Sequence, residues 1–173
     1  RDVDVFSDQL AARWRLLANS RVNGIDGMVS SALGAAAALG RPTVLWCGDL
    51  ALLHDVSGLL AGTMQDADLT IVVSNDDGGG IFEYLPAART LPRPVFERMF
   101  AVPHGLDLCG LARGLGWQAA RVESAAAFSD GLTQALAGGR HVIEVPADRA
   151  ANTAFHGTVN ATVSARLSRE WSA

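Results

Sequence analysis

A chain of 173 residues with 49% apolar content is long enough for one domain with a real core. Its net charge of −4 argues against a nucleic-acid surface or an electrostatic grip on anionic membranes. All 14 basic residues are Arg, so no lysine can form a Schiff base or serve a P-loop, and a carboxylate substrate must be clamped by guanidinium.

Asp2 or Asp4 is placed to cap a first short helix with Val3, Phe6 and Leu10 at helical spacing. Trp14-Arg15-Leu16-Leu17-Ala18 either extends that helix or forms a strand; periodicity alone does not decide. Asn19 to Gly27 is a polar loop. A helix is predicted from about Asp26 to Leu39, closed by Gly40 and Pro42. Strand Thr43–Cys47, a helical stretch near 55–62 and strand Leu69–Val73 follow. Residues 78–103 carry Pro86, Pro92, Pro94 and Pro103 and a short amphipathic piece at Phe96–Phe100. They form the longest irregular region, of a kind that is functional or mobile. Next come helix Leu106–Leu115, strand Trp117–Val122, helix Ser124–Ala137 capped by Ser124, strand His141–Val145 and a terminal helix at Ala161–Trp171. This alternation implies an α/β fold, a mostly parallel sheet flanked by helices on both faces, in a single domain over residues 1–173.

Cys47 in a strand and Cys109 in a helix have no metal-ligand spacing and read as buried free thiols. There is no signal peptide and no stretch long enough to span a membrane, which points to a cytoplasmic location. The chain starts at Arg1 without a Met, as a piece of something longer would.

Asp49 lies in Gly48-Asp49-Leu50 and Asp76 in Asn75-Asp76-Asp77-Gly78-Gly79-Gly80, each just past a strand-like run. Two carboxylates at the ends of strands that can lie side by side occupy the place where open parallel sheets bind ligands. Hard cations such as Mg²⁺ take such oxygens and bridge them to phosphates. Gly-Asp alone is an ordinary turn. Three successive glycines are less ordinary, because they are unfavourable unless the backbone takes unusual angles or contacts a ligand. Asn23-Gly24-Ile25-Asp26-Gly27 opens the helix that follows, with Asp26 as its cap and N–H groups suited to an anion. Ile25 is a core plug or a prop beneath a ligand ring. Ile81-Phe82-Glu83-Tyr84-Leu85 reads as a helical turn whose apolar members pack inward or line a pocket. His54 and Asp55 are a catalytic pair or, better supported, an exposed cap. His104, His141 and His156 read as structural. Arg1 and Arg21 are candidate carboxylate binders.

Gly-Asp followed downstream by Asn-Asp resembles the signature of thiamin-diphosphate-dependent enzymes. Together with Asn23–Gly27, His54-Asp55 and Gly78-Gly79-Gly80-Ile81-Phe82 with Leu85-Pro86, it looks like one family. That family is the menaquinone-pathway synthase of 2-succinyl-5-enolpyruvyl-6-hydroxy-3-cyclohexene-1-carboxylate, and the likeness runs from Arg1 to about Val145. The resemblance implies the pyrophosphate-domain fold, with Mg²⁺ or Mn²⁺ on Asp49, Asp76 and the Gly78 carbonyl. It implies thiamin diphosphate against Gly24, Ile25, Gly48, Asp49, Leu50, Asp76, Gly78, Gly79 and Ile81, with Ile25 keeping the cofactor folded. It also implies decarboxylation of 2-oxoglutarate and succinyl transfer to isochorismate, with Arg1, Arg21, Ile81, Phe82 and Leu85 binding substrate. Ungapped alignment puts Ser20, not Arg21, at the family's second arginine. No catalytic residue is assigned to this chain: the glutamate that faces the aminopyrimidine belongs to an N-terminal pyrimidine-binding domain, expected from a second subunit of a homo-oligomer. The chain is then the C-terminal, pyrophosphate- and metal-binding part of a longer polypeptide, inactive by itself. The other readings are a different 2-oxo-acid decarboxylase or carboligase of the superfamily, and a non-catalytic metal–diphosphate module. An Asp-based phosphohydrolase is disfavoured by the lack of lysine.

Overall fold

Four parallel strands, β1 Thr43–Gly48, β2 Leu69–Asn75, β3 Gln118–Arg121 and β4 Arg140–Pro146, lie in the order β1-β2-β4-β3. The computed structural model describes residues 15–19 and 23–171. The helix expected near Asp2–Leu10 lies outside them, and residues 15–19 form neither helix nor strand. Helices α1 Met28–Leu39, α2 Asp49–His54 and α3 Val56–Gly62 frame the first two strands. Short turns α4 Ala87–Thr90 and α5 Arg93–Phe96 follow a 3₁₀ turn at Gly80–Tyr84 and precede a π turn at Glu97–Ala101. Helices α6 Leu108–Gly114, α7 Ala125–Ala135 and α8 Arg149–Trp171 complete the order.

The sequence of β2 explains its central place. Leu69-Thr70-Ile71-Val72-Val73 is buried throughout, as a parallel strand covered on both faces must be. Edge strand β1 alternates instead, with Leu45 and Cys47 buried and Val44 and Trp46 exposed. On one face Leu45, Ile71, Val73 and Val142 pack against Val29 and Leu33 of α1, Leu52 of α2, Leu59 of α3 and Leu108 of α6. Gly58 and Gly62 bring α3 in close. A β-carbon on Gly58 would stand 2.9 Å from Val29, and one on Gly62 2.6 Å from the Trp117 ring. The second face is half covered: α7 lays Phe128 and Leu132 against Val122 and Ile143. Beside it Val44, Trp46 and Val72 open onto a groove of about 690 Å³. The Trp46 indole N–H donates to Ser74 Oγ at 2.9 Å, bridging β1 and β2 on that face.

Several expected boundaries move, each for a local reason. The helical stretch near 55–62 is two helices, and the first begins at Asp49 itself. Helix α1 starts at Met28 behind Gly27, whose φ of 65° is left-handed, so Asp26 is not its cap. The cap comes from a distance: buried Asp55 accepts from Ser30 N at 2.6 Å and from Ser30 Oγ at 2.9 Å. Asp55 is therefore neither exposed nor paired with His54. The terminal helix begins at Arg149, not Ala161, because Asp148 Oδ1 accepts from Ala151 N at 2.7 Å. No residue of that helix is buried, so it has no apolar stripe to read. The cap at Ser124 and the burial of both thiols are as expected. Burial, then the charge of Asp49, pushes the Cys47 thiol up to about 12, which keeps it inert.

Removing the Asp55 carboxylate takes the acceptor from both the Ser30 N–H and the Ser30 hydroxyl at the start of α1. Asp55→Ala is expected to lower stability by about 1–3 kcal/mol in urea unfolding, whereas a cap limited to its own helix would cost less.

Candidate functional site

The register of β1 on β2 sets Gly48 opposite Ser74, so both chains leave the sheet level with each other. Gly48 is extended and Asp49 opens α2, with its side chain turned inward and 2% of the residue exposed. A buried carboxylate needs donors, and Asp49 has three. Oδ1 accepts from Leu50 N at 2.7 Å. Oδ2 accepts from Gly78 N at 2.7 Å and lies 3.1 Å from Nε2 of His104.

At the end of β2, Asn75 is held by its side chain: Nδ2 donates to buried Glu144 at 2.8 Å and Oδ1 accepts from Asp77 N at 3.0 Å. Glu144 also accepts from Arg121 at 3.0 Å and from the Cys109 thiol at 3.3 Å. The glycines come next. Gly78 has φ 127°, and a β-carbon there would lie 2.0 Å from the Ala101 carbonyl. Gly79 makes a tight inverse turn (φ −85°, ψ 60°), closed by Gly80 N donating to Gly78 O at 3.1 Å. A β-carbon on Gly80 would meet Asp76 Oδ2 at 1.7 Å. The glycine run is thus required for the backbone to pass residues 100–102 and the Asp76 carboxylate.

Burial, then the like charge of Asp49, raises the Asp76 carboxyl to about 6; Arg149 and backbone hydrogen bonds pull the other way without prevailing. Asp77, left-handed at φ 58°, points elsewhere. It accepts from Gly105 N at 2.7 Å and His104 N at 3.0 Å, and these bonds, Gly105 first, hold its carboxyl below the usual range. A carboxyl whose ionisation is opposed by burial and by a neighbouring carboxylate marks a site short of positive charge. Among the described residues no three His, Cys, Asp or Glu side chains are grouped to hold a metal ion. Any cation here would complete its shell with backbone carbonyls and with oxygens of its ligand.

The structure brings Asp49, Asp76 and Gly78 together, with Gly48, Leu50 and Gly79 beside them. Gly24 and Ile25 lie in the turn before α1. Asp26 fastens that turn to Nδ1 of His54 at 3.2 Å, at the far end of α2. Ile25 is 37% exposed, so it is no core plug. The Ile81–Leu85 turn forms, but its apolar members do not pack inward: Ile81 is 58% exposed, and Phe82 and Leu85 are exposed as well. Glu83 is the inward residue, bound by both nitrogens of the Arg93 fork at 3.0 and 2.7 Å. Arg1 and Arg21 lie outside the described residues. His104, expected to be merely structural, touches the central carboxylate; the two residues are 55 apart in the chain, and no local spacing signals the pair.

Residues 15–145 match the family described as thiamine pyrophosphate enzyme, C-terminal TPP binding domain. The chain belongs to that family. Curated relatives are 2-succinyl-5-enolpyruvyl-6-hydroxy-3-cyclohexene-1-carboxylate synthases. That of Myxococcus xanthus is 46% identical over 96% of this chain and 28% of its own length. That of Rhodococcus erythropolis is 49% identical over 85% of this chain and 28% of its own length. This TPP-binding domain thus spans between a quarter and a third of these relatives. Among solved structures it is similar in fold to the benzoylformate decarboxylase of Polynucleobacter necessarius, at TM-score 0.62 and 22% identity over 74% of this chain and 24% of that one. The 4-hydroxybenzoylformate decarboxylase of Rhodococcus jostii gives TM-score 0.59 and 24% identity over 70% and 23%. The parallel sheet with helices on both faces is the pyrophosphate-binding fold of these enzymes.

Because the folded-state value of about 6 for Asp76 exceeds the 3.8 of a free carboxyl, its ionisation opposes folding. The protonated form's contribution is complete below 3.8 and is lost as pH rises through 6. Asp76→Asn is therefore expected to raise the unfolding temperature of metal-free protein well above pH 6. Scanning calorimetry should show that advantage shrinking as pH falls toward 3.8.

Proposed function

We propose that this TPP-binding domain anchors thiamin diphosphate through a divalent cation, Mg²⁺ or Mn²⁺, held by Asp49, Asp76 and the Gly78 carbonyl. The enzyme it serves decarboxylates 2-oxoglutarate and transfers the succinyl unit to isochorismate. The observation that carries this reading is the pairing of a fully buried carboxylate with a second one driven up to about 6, at level ends of neighbouring parallel strands. A donor set made only of oxygens suits a hard cation that is shared with phosphate. When bound, thiamin diphosphate supplies the electron sink for decarboxylation of a 2-oxo acid.

The chain's own part is binding and orientation. Asp49 and Asp76 would hold the cation, whose charge would offset that of the diphosphate. Backbone at Gly48, Leu50 and Gly79 lies beside them and gives close access to phosphate oxygens. Gly24 and Ile25, in the exposed turn before α1, support the folded cofactor from the side. Ile81, Phe82 and Leu85 present an apolar surface suited to the ring of isochorismate, and their exposure fits a site completed by another domain. Arg1 and Arg21 bind substrate carboxylates in this reading. The N-terminal pyrimidine-binding domain of a second subunit supplies the glutamate, which makes the enzyme a homo-oligomer, placed in the cytoplasm. The isolated domain has no turnover.

A different 2-oxo-acid decarboxylase is the competing reading. The two solved neighbours favour it only at the level of fold, since their identity is below a quarter. In the full-length polypeptide, 2-oxoglutarate is expected to release CO₂ with matching consumption of isochorismate; preference for pyruvate or benzoylformate would reassign the enzyme. Asp49→Ala is expected to weaken thiamin diphosphate binding in the presence of Mg²⁺ by more than about 100-fold in titration calorimetry, beyond the range seen for outer-shell partners. Unchanged affinity would remove the binding role altogether.

A further inference from the structure

We propose that His104 is a positioning residue for this site: it donates from Nε2 to Asp49 Oδ2 and sets the orientation in which that carboxylate meets the cation. The inference rests on the reading of Asp49 as a metal ligand. His104 closes the irregular segment after β2, in Pro103-His104-Gly105-Leu106, and its side chain is 10% exposed. Its two ring nitrogens have different, fixed partners. Leu106 N donates to Nδ1 at 3.0 Å. A peptide N–H cannot accept, so Nδ1 carries the lone pair and Nε2 carries the hydrogen. That hydrogen faces Asp49 Oδ2 at 3.1 Å. Asp77 Oδ1 stands 3.7 Å from Nδ1, beyond hydrogen-bond reach, and is occupied by the backbone of His104 and Gly105.

Two other roles are disfavoured by the same contacts. Direct metal ligation needs a free ring nitrogen, and both are engaged. Proton transfer to a substrate needs Nε2 turned toward it, and Nε2 is turned to a buried carboxylate. What remains is orientation. Oδ2 receives two of the three hydrogen bonds to Asp49, from Gly78 N and His104, so the histidine helps fix which lone pairs stay available. Outer-shell partners of this kind hold metal-ligating carboxylates in place, and losing one costs about 10- to 100-fold in metal affinity. The contact also ties the far end of the segment that carries Ile81, Phe82 and Leu85 to the carboxylate that its near end binds through Gly78 N.

The test uses the full-length polypeptide and reads Mn²⁺ affinity, by electron paramagnetic resonance at fixed thiamin diphosphate. His104→Gln keeps a side-chain N–H near the position of Nε2 and loses the acceptor for Leu106. His104→Asn keeps an acceptor near Nδ1 and loses the donor to Asp49. The Asn variant is expected to bind Mn²⁺ about 10- to 100-fold more weakly, and the Gln variant to recover most of the loss. Wild-type affinity in the Asn variant, or a Gln variant no better than the Asn one, would overturn the proposal while leaving the metal site intact. Failure of the unmodified protein to bind Mn²⁺ would overturn the site reading, and the proposal with it. A readout that needs no variant is the tautomer, seen by ¹⁵N NMR of labelled histidine. The Nε2–H form is expected, and the Nδ1–H form in His104 would refute the role.

Discussion

The burial of the Asp49 carboxylate is the constraint from which the site is organised. An ionised carboxylate withdrawn from water is costly unless donors replace the water, and here they come from three separate stretches of chain. Leu50 supplies one from the start of α2, Gly78 one from the segment after β2, and His104 one from the segment before α6. The last two come from distant stretches of chain, brought to Asp49 where the parallel register levels Gly48 with Ser74. The sheet therefore does more than carry two aspartates. It fixes the distance over which the backbone after β2 must turn back, and the glycines at 78–80 are the residues that allow so tight a return.

A second layer of charge fastens the irregular segment. Glu83 and Glu97 share Arg93, and Arg149 at the head of α8 reaches Glu97 at 3.1 Å and Glu83 at 4.0 Å. Arg149 also lowers the Asp76 carboxyl, though less than burial and Asp49 raise it. The same arginine thus ties the segment to the last helix and offsets part of the negative charge at the site. Exposed ion pairs are worth little singly, but Glu83 and Arg149 are mostly shielded and belong to one network.

The legible parts of the sequence were those governed by local rules. A continuous apolar run marks β2, an alternating one β1, and Ser124 marks its own helix. Gly-Asp and the Asn-Asp-Asp-Gly-Gly-Gly run stood out because strand ends and multiple glycines have few ordinary uses. What could not be read depends on partners distant in the chain. Asp55 caps a helix that begins upstream of it, and His104 finds Asp49 only once the sheet has formed. Helix α8 escaped in its first half because it buries nothing, leaving no periodicity. At Ile81–Leu85 the apolar residues suggest an inward face or a pocket wall; Ile81, Phe82 and Leu85 stay exposed, while the charged Glu83 is mostly enclosed.

Trp46 adds a practical consequence. Its indole lies half in solvent on the uncovered face of the sheet, yet its N–H is bound to Ser74, two residues before Asp76, while its own backbone leads into Asp49 three residues later. The ring is thus an intrinsic fluorophore strapped across the two strands that end in the carboxylates. A change in the spacing of those strand ends alters the hydrogen bond and the polarity around the indole. An occupant of the site that shifts those strand ends is therefore expected to change the indole emission, with neither label nor substrate turnover.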